Sequence, residues 1–306
     1  MMVHLAPERS PRPFLRPPPP GQRQRAKRGC LIGKGCRLGG FVLLFWGAWG
    51  AEMARIALML FFALTSLKGI AGDGIFDLEL IVIDPGHGGR DPGCVNRWGG
   101  VEKEINLAVA LYLKGAIERE GIYRAVMTRQ SDQTLSLEER ARIANRYPPD
   151  KTLFISLHCN SSPNGEGRGI ETYVFDLEAT DRLAQQVAER ENALEVIDPL
   201  RFILNDLRHR SAALYSEMAA RLIQRALVSR LKAGDRRIRR APFKILADVK
   251  MPAVLVEMGF LSDKVEQRKL RSKRYQRAIA EAIYEGIKRF DRELSAAHKG
   301  VARSSR

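Results

Sequence analysis

The segment LIVIDPGHGGRDPG, residues 80–93, constrains the fold more than any other part of the chain. Its residues 80–83 are all apolar, which is typical of a strand covered on both faces in a sheet with crossover helices. Gly86 and Gly88 allow the backbone to turn sharply, so His87 is expected at the carboxyl end of this strand. Open α/β sheets carry their chemistry at that edge. A histidine in a glycine-rich loop is common by itself, so its function depends on its companions.

Three other side chains are predicted to join His87. His158 ends a second apolar segment and Glu257 ends a third, while Glu102 falls in the first turn of a predicted helix, where the helix dipole alone would favour a carboxylate. Because the carboxyl ends of parallel strands meet at one edge, the four groups should converge there. Two imidazoles, one carboxylate and an open fourth position form a common catalytic zinc site. A second carboxylate beside it can act as a general base.

The rest of residues 72–306 alternates between strand and helix patterns, which predicts an α/β fold. We expect a single domain with a mostly parallel sheet of about six strands between helices. The predicted strands are 79–84, 122–128, 152–158, 169–175, 236–246 and 252–257, and the predicted helices are 103–120, 136–146, 178–192, 211–233, 263–271 and 274–292. Ser136 and Glu139 have the spacing of a capping box at a helix start.

Six blocks carry a family resemblance. In chain order they are IDPGHGGRDPG, EKEINLAVA, LSLEERARIANR, LFISLHCNSS, GIETYVF and PAVLVEMGFLSD. Over about residues 79–290 the chain resembles the zinc-dependent N-acetylmuramoyl-L-alanine amidases of the Amidase_3 type. The resemblance implies that His87, Glu102 and His158 bind one zinc ion and that Glu257 is the catalytic base. It also implies cleavage of the amide between N-acetylmuramic acid and L-alanine in peptidoglycan, during cell-wall remodelling and daughter-cell separation.

The residues by themselves indicate only metal-assisted amide hydrolysis, so two alternatives stay open. One is a zinc peptidase that cuts within the stem peptide, because its metal chemistry is the same. The other is a catalytically silent wall-binding or regulatory protein, which the intact ligand set and Glu257 disfavour.

Other residues in or near the blocks have structural interpretations. Arg129, Arg140 and Asn145 are expected to hold a strand-to-helix connection by hydrogen bonds. Cys94 and Cys159 stand where the family usually has small residues, and we expect two packed thiols rather than a disulfide. Cys159 should point away from His158, because neighbouring strand residues face opposite sides.

The first 72 residues differ from the rest and contribute +9 of the net charge of +16. Residues 1–52 are rich in proline and basic residues, and we expect a disordered leader, or a stretch upstream of a true start at Met53. Nucleic-acid binding is disfavoured, because the basic run 23–37 has no aromatic residues on which bases could stack.

Residues 53–71 have the organisation of a secretory signal peptide: Arg55, an apolar run, and small residues up to Ala71. The alternative is a membrane anchor over residues 41–67, which charged residues interrupt. We therefore expect export to the periplasm or cell envelope, with membrane contact only through the export signal.

We expect residues 176–210 to be a regulatory insert. In a branch of the resembled family, an insert here forms a helix that covers the zinc site, and an activator with a degenerate LytM-type domain displaces it. Glu191, Glu195 or Asp198 is expected to occupy the open zinc position. The alternative is an ordinary surface hairpin of two helices.

Overall fold

The computed structural model of the protein describes residues 76–162, 165, 167–192 and 199–304. These residues belong to one compact unit. The predicted leader (1–52), the predicted signal peptide (53–71), Glu195 and Asp198 lie outside the described residues. In the part of the chain that the structure describes, no helix combines the length and the apolar character needed to cross a membrane.

A six-stranded sheet forms the centre of the described unit. Its strands are β1 (Leu80–Pro85), β2 (Arg124–Met127), β3 (Thr152–Asn160), β4 (Ile170–Phe175), β5 (Asp235–Ala241) and β6 (Ala253–Phe260). They lie in the order β2-β1-β3-β6-β4-β5. All neighbouring strands are parallel except β4 and β6, which are antiparallel. The prediction of a mostly parallel sheet of about six strands is confirmed.

Helices cover both faces of the sheet. They are α1 (Glu102–Glu120), α2 (Leu137–Ala144), α3 (Arg182–Glu191), α4 (Pro199–Leu231), α5 (Lys244–Asp248), α6 (Glu266–Leu270) and α7 (Lys273–Ser304). Ile81 and Ile83 of β1 pack into a core with α1, α4 and α7. Leu80 and Val82 pack on the opposite face, with α2, α3 and α5. This alternation explains why all of β1 is buried.

The capping box predicted for α2 is confirmed, since the Ser136 hydroxyl accepts from the Glu139 amide and the Glu139 carboxylate accepts from the Ser136 amide. Three predicted boundaries were wrong by several residues. The helix predicted over 274–292 extends to Ser304. The strand predicted over 236–246 ends at Ala241, because Pro242 has no N–H to continue the ladder. The helix predicted from 211 begins at Pro199, a residue that favours the first helical position.

Candidate metal centre

The sheet brings the predicted site residues to one edge. β1, β3 and β6 are neighbours, and His158 of β3 is the register partner of Glu257 of β6. His87 follows β1 by two residues, and Glu102 is the first residue of α1. The predicted convergence of these four residues is therefore confirmed.

Three of the four form a compact cluster. Glu102 Oε1 lies 3.1 Å from His87 Nε2 and 3.2 Å from His158 Nδ1. The two imidazole rings are nearly perpendicular, and their centroids are 4.9 Å apart. One carboxylate oxygen therefore faces one nitrogen of each ring.

Glu191, the last residue of α3, completes the cluster. Its Oε2 lies 3.2 Å from His87 Nε2 and 3.0 Å from His158 Nδ1. One donor atom from each of His87, Glu102, His158 and Glu191 lies within 4.8 Å of the others. Glu191 is one of the three carboxylates predicted for the fourth position, and the structure places it there; Glu195 and Asp198 lie outside the described residues.

Two glycines permit this close approach. A Cβ atom on Gly86 would lie 2.2 Å from the His158 ring, and one on Gly93 would lie 2.5 Å from the His87 ring. His87 itself has a φ of 59°, a left-handed conformation that non-glycine residues adopt rarely and that clusters at functional sites. The glycine-rich loop therefore positions the imidazole as well as making the turn.

Hydrogen bonds from the backbone and from an acid fix the cluster. The amides of Cys94 and Cys159 donate to Glu102 Oε2 and Oε1, at 2.8 and 2.9 Å. Asp91 Oδ2 lies 2.7 Å from His87 Nδ1. A carboxylate on the far nitrogen selects the tautomer whose Nε2 is free for a metal. The sequence prediction missed Asp91, although it lies within the RDPG end of the first block.

The two cysteines are free thiols, as predicted. Cys159 packs in the core with Leu157, on the side of the sheet away from His158. The cysteines therefore support the site through their backbone amides.

Charge balance in the cluster is compatible with a divalent cation. Burial disfavours a charged imidazole, but the Glu102 carboxylate raises the pKa of His87 to about 12. Burial also lowers the pKa of His158, but the Glu191 carboxylate outweighs this effect and raises that pKa to about 9. Two carboxylates must thus be balanced by two positive charges, either as protons or as one metal ion.

The donor set also fits zinc. His87 Nε2 and Glu191 Oε2 are buried, and their close contacts within the cluster do not have the geometry of hydrogen bonds. Imidazole nitrogens and carboxylate oxygens are typical ligands of catalytic zinc. The residues therefore fit a single zinc ion in place of the protons.

Glu257 stands beside the cluster but is not part of it. It is fully buried, and neither carboxylate oxygen has a hydrogen-bond partner among the described residues. Burial raises the pKa of Glu257 well above its ordinary value, as does the Glu191 carboxylate. A buried acid without partners next to a metal cluster is suited to proton transfer.

A scaffold of arginines supports the loop that carries His87. Arg140 donates to the carbonyls of Pro85 and His87 at 2.8 and 2.6 Å, and to Asp84 Oδ1 at 2.8 Å. Arg129 donates to the carbonyl of Gly86 at 2.9 Å. The structural role predicted for these arginines is confirmed. Asn145 differs from the prediction: it donates to the Asp248 carbonyl at the end of α5 and accepts from the Lys250 amide, so it holds the connection from α5 to β6.

Helix α3 is held over the site by Arg190. Its guanidinium donates to the Ser161 carbonyl at 3.0 Å, to Asn160 Oδ1 at 3.1 Å and to Glu191 Oε1 at 3.0 Å. A cavity of about 110 Å³ borders His87, His158 and Glu191, whereas sites that enclose small ligands measure roughly 300–1,000 Å³. The space beside the cluster is therefore smaller than that of a typical ligand site.

Comparison with known proteins gives one consistent result. The family model of N-acetylmuramoyl-L-alanine amidases, Amidase_3, matches residues 81–289. The chain is similar to the probable N-acetylmuramoyl-L-alanine amidase AmiB of Haemophilus influenzae, with 33% identity over 69% of this chain and 51% of the relative. The chain thus spans about half the length of that relative.

Solved structures agree. An N-acetylmuramoyl-L-alanine amidase from Clostridium difficile is 28% identical over 70% of this chain and 97% of its own, with a TM-score of 0.55. The CwlD amidase from Clostridioides difficile, solved in complex with the GerS lipoprotein, is 27% identical over 69% of this chain and 98% of its own, with a TM-score of 0.53.

Proposed function

Because the chain belongs to the N-acetylmuramoyl-L-alanine amidase family, Amidase_3, we propose that it is a zinc-dependent hydrolase of peptidoglycan. Its substrate bond is the amide between N-acetylmuramic acid and L-alanine, and its role is cell-wall remodelling and daughter-cell separation. The observation that carries this proposal is the cluster of His87, Glu102 and His158 beside the unpartnered carboxyl group of Glu257.

Each residue has a distinct role in the proposed reaction. His87, Glu102 and His158 would hold the ion, and bound zinc would polarise the amide carbonyl and lower the pKa of water. Glu257 takes the proton of the attacking water and delivers it to the leaving alanine nitrogen. Asp91 keeps the His87 ring in the required orientation through its 2.7 Å contact with Nδ1.

Mass analysis of digested peptidoglycan tests this function. Purified protein should release stem peptides that begin with L-alanine, and a chelator should abolish the release. A cut within the stem peptide would instead identify a zinc peptidase, and intact peptidoglycan would favour a silent wall-binding protein.

We also propose that α3 keeps the enzyme inactive until a partner displaces it. The contacts of Glu191 with both imidazoles and the Arg190 hydrogen bonds support this proposal. A partner needs only to bind the open state more tightly than the covered state. The proposed partner is an activator with a LytM-type domain, and the complex of CwlD with GerS gives a precedent for a protein partner.

The Glu191→Ala substitution tests the cover. It should raise basal amidase activity by at least about ten-fold while zinc stays bound. Glu189→Ala is the matched control, because Glu189 is an exposed acid on the same helix. Unchanged activity of zinc-loaded Glu191→Ala protein would identify α3 as ordinary packing.

Finally, we propose that residues 53–71 direct export and are removed near Ala71. Protein recovered from the cell envelope should then begin close to Gly72 on N-terminal sequencing. Recovery of the basic leader in a membrane fraction would support the anchor over residues 41–67.

A further inference from the structure

Residues 264–277, here called the cationic segment, carry an exposed positive charge that the proposed reaction does not use. All seven of its basic side chains are exposed: Lys264, Arg268, Lys269, Arg271, Lys273, Arg274 and Arg277. Its acid, Glu266, points inward, because its carboxylate accepts from the amides of Gly169 and Phe260 at 2.8 Å each. The outer surface of the segment is therefore uniformly positive.

The charges of this surface are not neutralised by nearby acids. Among the residues that the structure describes, no carboxylate lies within 4.0 Å of a basic group of the cationic segment. The later part of α7 is different, since Lys288 pairs with Glu120 and Arg289 pairs with Glu285, both at 3.1 Å. One helix thus begins with free cations and continues with paired ones.

The cationic segment contacts the loop that precedes the candidate metal ligand Glu102. Arg271 Nη1 donates to the Trp98 carbonyl at 2.7 Å, so the segment holds the loop that leads into Glu102. Arg97 of this loop is exposed, and its guanidinium lies 4.7 Å from the centre of the Trp98 ring. The segment and the candidate metal centre are therefore joined through one short loop.

We propose that the cationic segment binds the free carboxylates of neighbouring stem peptides while one muramoyl–alanine amide occupies the metal centre. This inference rests on the proposed function. Peptidoglycan repeats its carboxylates along the strand, which matches the several exposed cations of this segment. Surface helices that bind lipid bury a whole apolar face. The cationic segment exposes one large apolar side chain, Val265, so an anionic membrane is disfavoured as its binding partner.

Two variants with equal net charge test the surface, both in a full-length Glu257→Gln background that cannot digest the polymer. The surface variant carries Lys264→Gln, Arg268→Gln, Lys269→Gln and Lys273→Gln. The control removes four exposed cations elsewhere, none of which pairs with an acid among the described residues: Arg119→Gln, Arg124→Gln, Arg146→Gln and Arg225→Gln. Both keep residues 1–72, so the leader contributes equally, and both should keep the parent thermal midpoint.

Sedimentation with insoluble peptidoglycan gives the result. The surface variant should bind at least about ten-fold more weakly than the parent at low salt, and the control should bind within about two-fold of the parent. In about 1 M NaCl, or on peptidoglycan whose carboxylates have been converted to neutral amides, the difference should disappear.

Equal binding of the two variants would overturn the inference. The inference would also be overturned if the surface variant lost binding to phosphatidylglycerol vesicles but not to peptidoglycan, because that result would identify a lipid-binding surface. Failure of the proposed function has a separate readout. In that case, zinc-loaded protein with native Glu257 would not cleave the muramoyl–alanine bond.

Discussion

Two buried acids at the same edge of the sheet have opposite surroundings. Asp84 of β1 accepts from the Thr128 hydroxyl at 2.6 Å, from Arg140 at 2.8 Å and from the Ser156 hydroxyl at 2.9 Å. Glu257 of β6 has no hydrogen-bond partner among the described residues for either oxygen. Burial alone would raise the pKa of both carboxyls. Arg140 and the two hydroxyls lower the pKa of Asp84, whereas burial together with Glu191 raises the pKa of Glu257.

This difference distinguishes a carboxylate that stabilises the site from a carboxyl group that is suited to proton transfer. A buried carboxylate with every oxygen satisfied holds its neighbours in place, and Asp84 does this through Arg140, which also binds the His87 carbonyl. A buried carboxyl without partners costs stability. Such a cost is expected where a group must exchange protons with a substrate, so we place the scaffold at Asp84 and the reaction at Glu257.

The largest expected effect is on turnover. Glu257→Gln keeps the shape of the side chain but removes the base, so amidase activity should fall by about 10²–10⁴-fold. Zinc content should stay at the wild-type level, because Glu257 is not among the four clustered ligands. Steady-state digestion and metal analysis check both values, and activity within a few-fold of wild type would assign the base to another residue.

The next effect is on stability. Asp84→Asn leaves the Arg140 charge buried and uncompensated, which should lower the free energy of unfolding by about 3–5 kcal/mol. Urea denaturation measures this loss. Glu138→Gln is the control. Glu138 pairs with Arg142 on α2, the helix that carries Arg140, and both side chains are exposed. This pair should contribute at most about 1 kcal/mol to the free energy of unfolding. Equal losses in the two variants would contradict the scaffold role of Asp84.

The smallest effect is on the pH dependence of stability in metal-free protein. A lowered pKa means that the stabilising contribution of Asp84 is lost as pH falls below about 3.9. A raised pKa has the opposite sign, so Glu257 destabilises the fold increasingly as pH rises above about 4.3. Relative to wild type, Glu257→Gln should therefore gain stability between pH 4 and 7, and unfolding at a series of pH values checks this. A constant difference between the two proteins over that range would contradict the raised pKa.

The sequence predicted the sheet well because local patterns encode it. Apolar runs such as those of β1 and β3 identify buried strands, and the capping box of α2 marks a helix start. Predictions failed where one residue changes the backbone, as at Pro242, which ends β5, and at Pro199, which begins α4. Their effects depend on the packing around them more than on the periodicity of the flanking segment.

The convergence of the clustered side chains was predictable, but their surroundings were predictable only in part. His87, Glu102 and His158 follow from strand ends and family blocks. The sequence alone did not identify Glu191 as a member of the cluster, because its position depends on the hydrogen bonds of Arg190 that hold α3 against the end of β3. Asp84 was missed because nothing in its own segment shows that three donors from other elements converge on it.

Anomalous diffraction recorded above the zinc absorption edge, from crystals of the full chain grown with zinc, tests the central claim most directly. The account predicts one strong peak within coordination distance of His87 Nε2, His158 Nδ1 and the Glu102 carboxylate, next to Glu257. A zinc-loaded protein with no peak there, or with its peak at the thiols of Cys94 and Cys159, would contradict it.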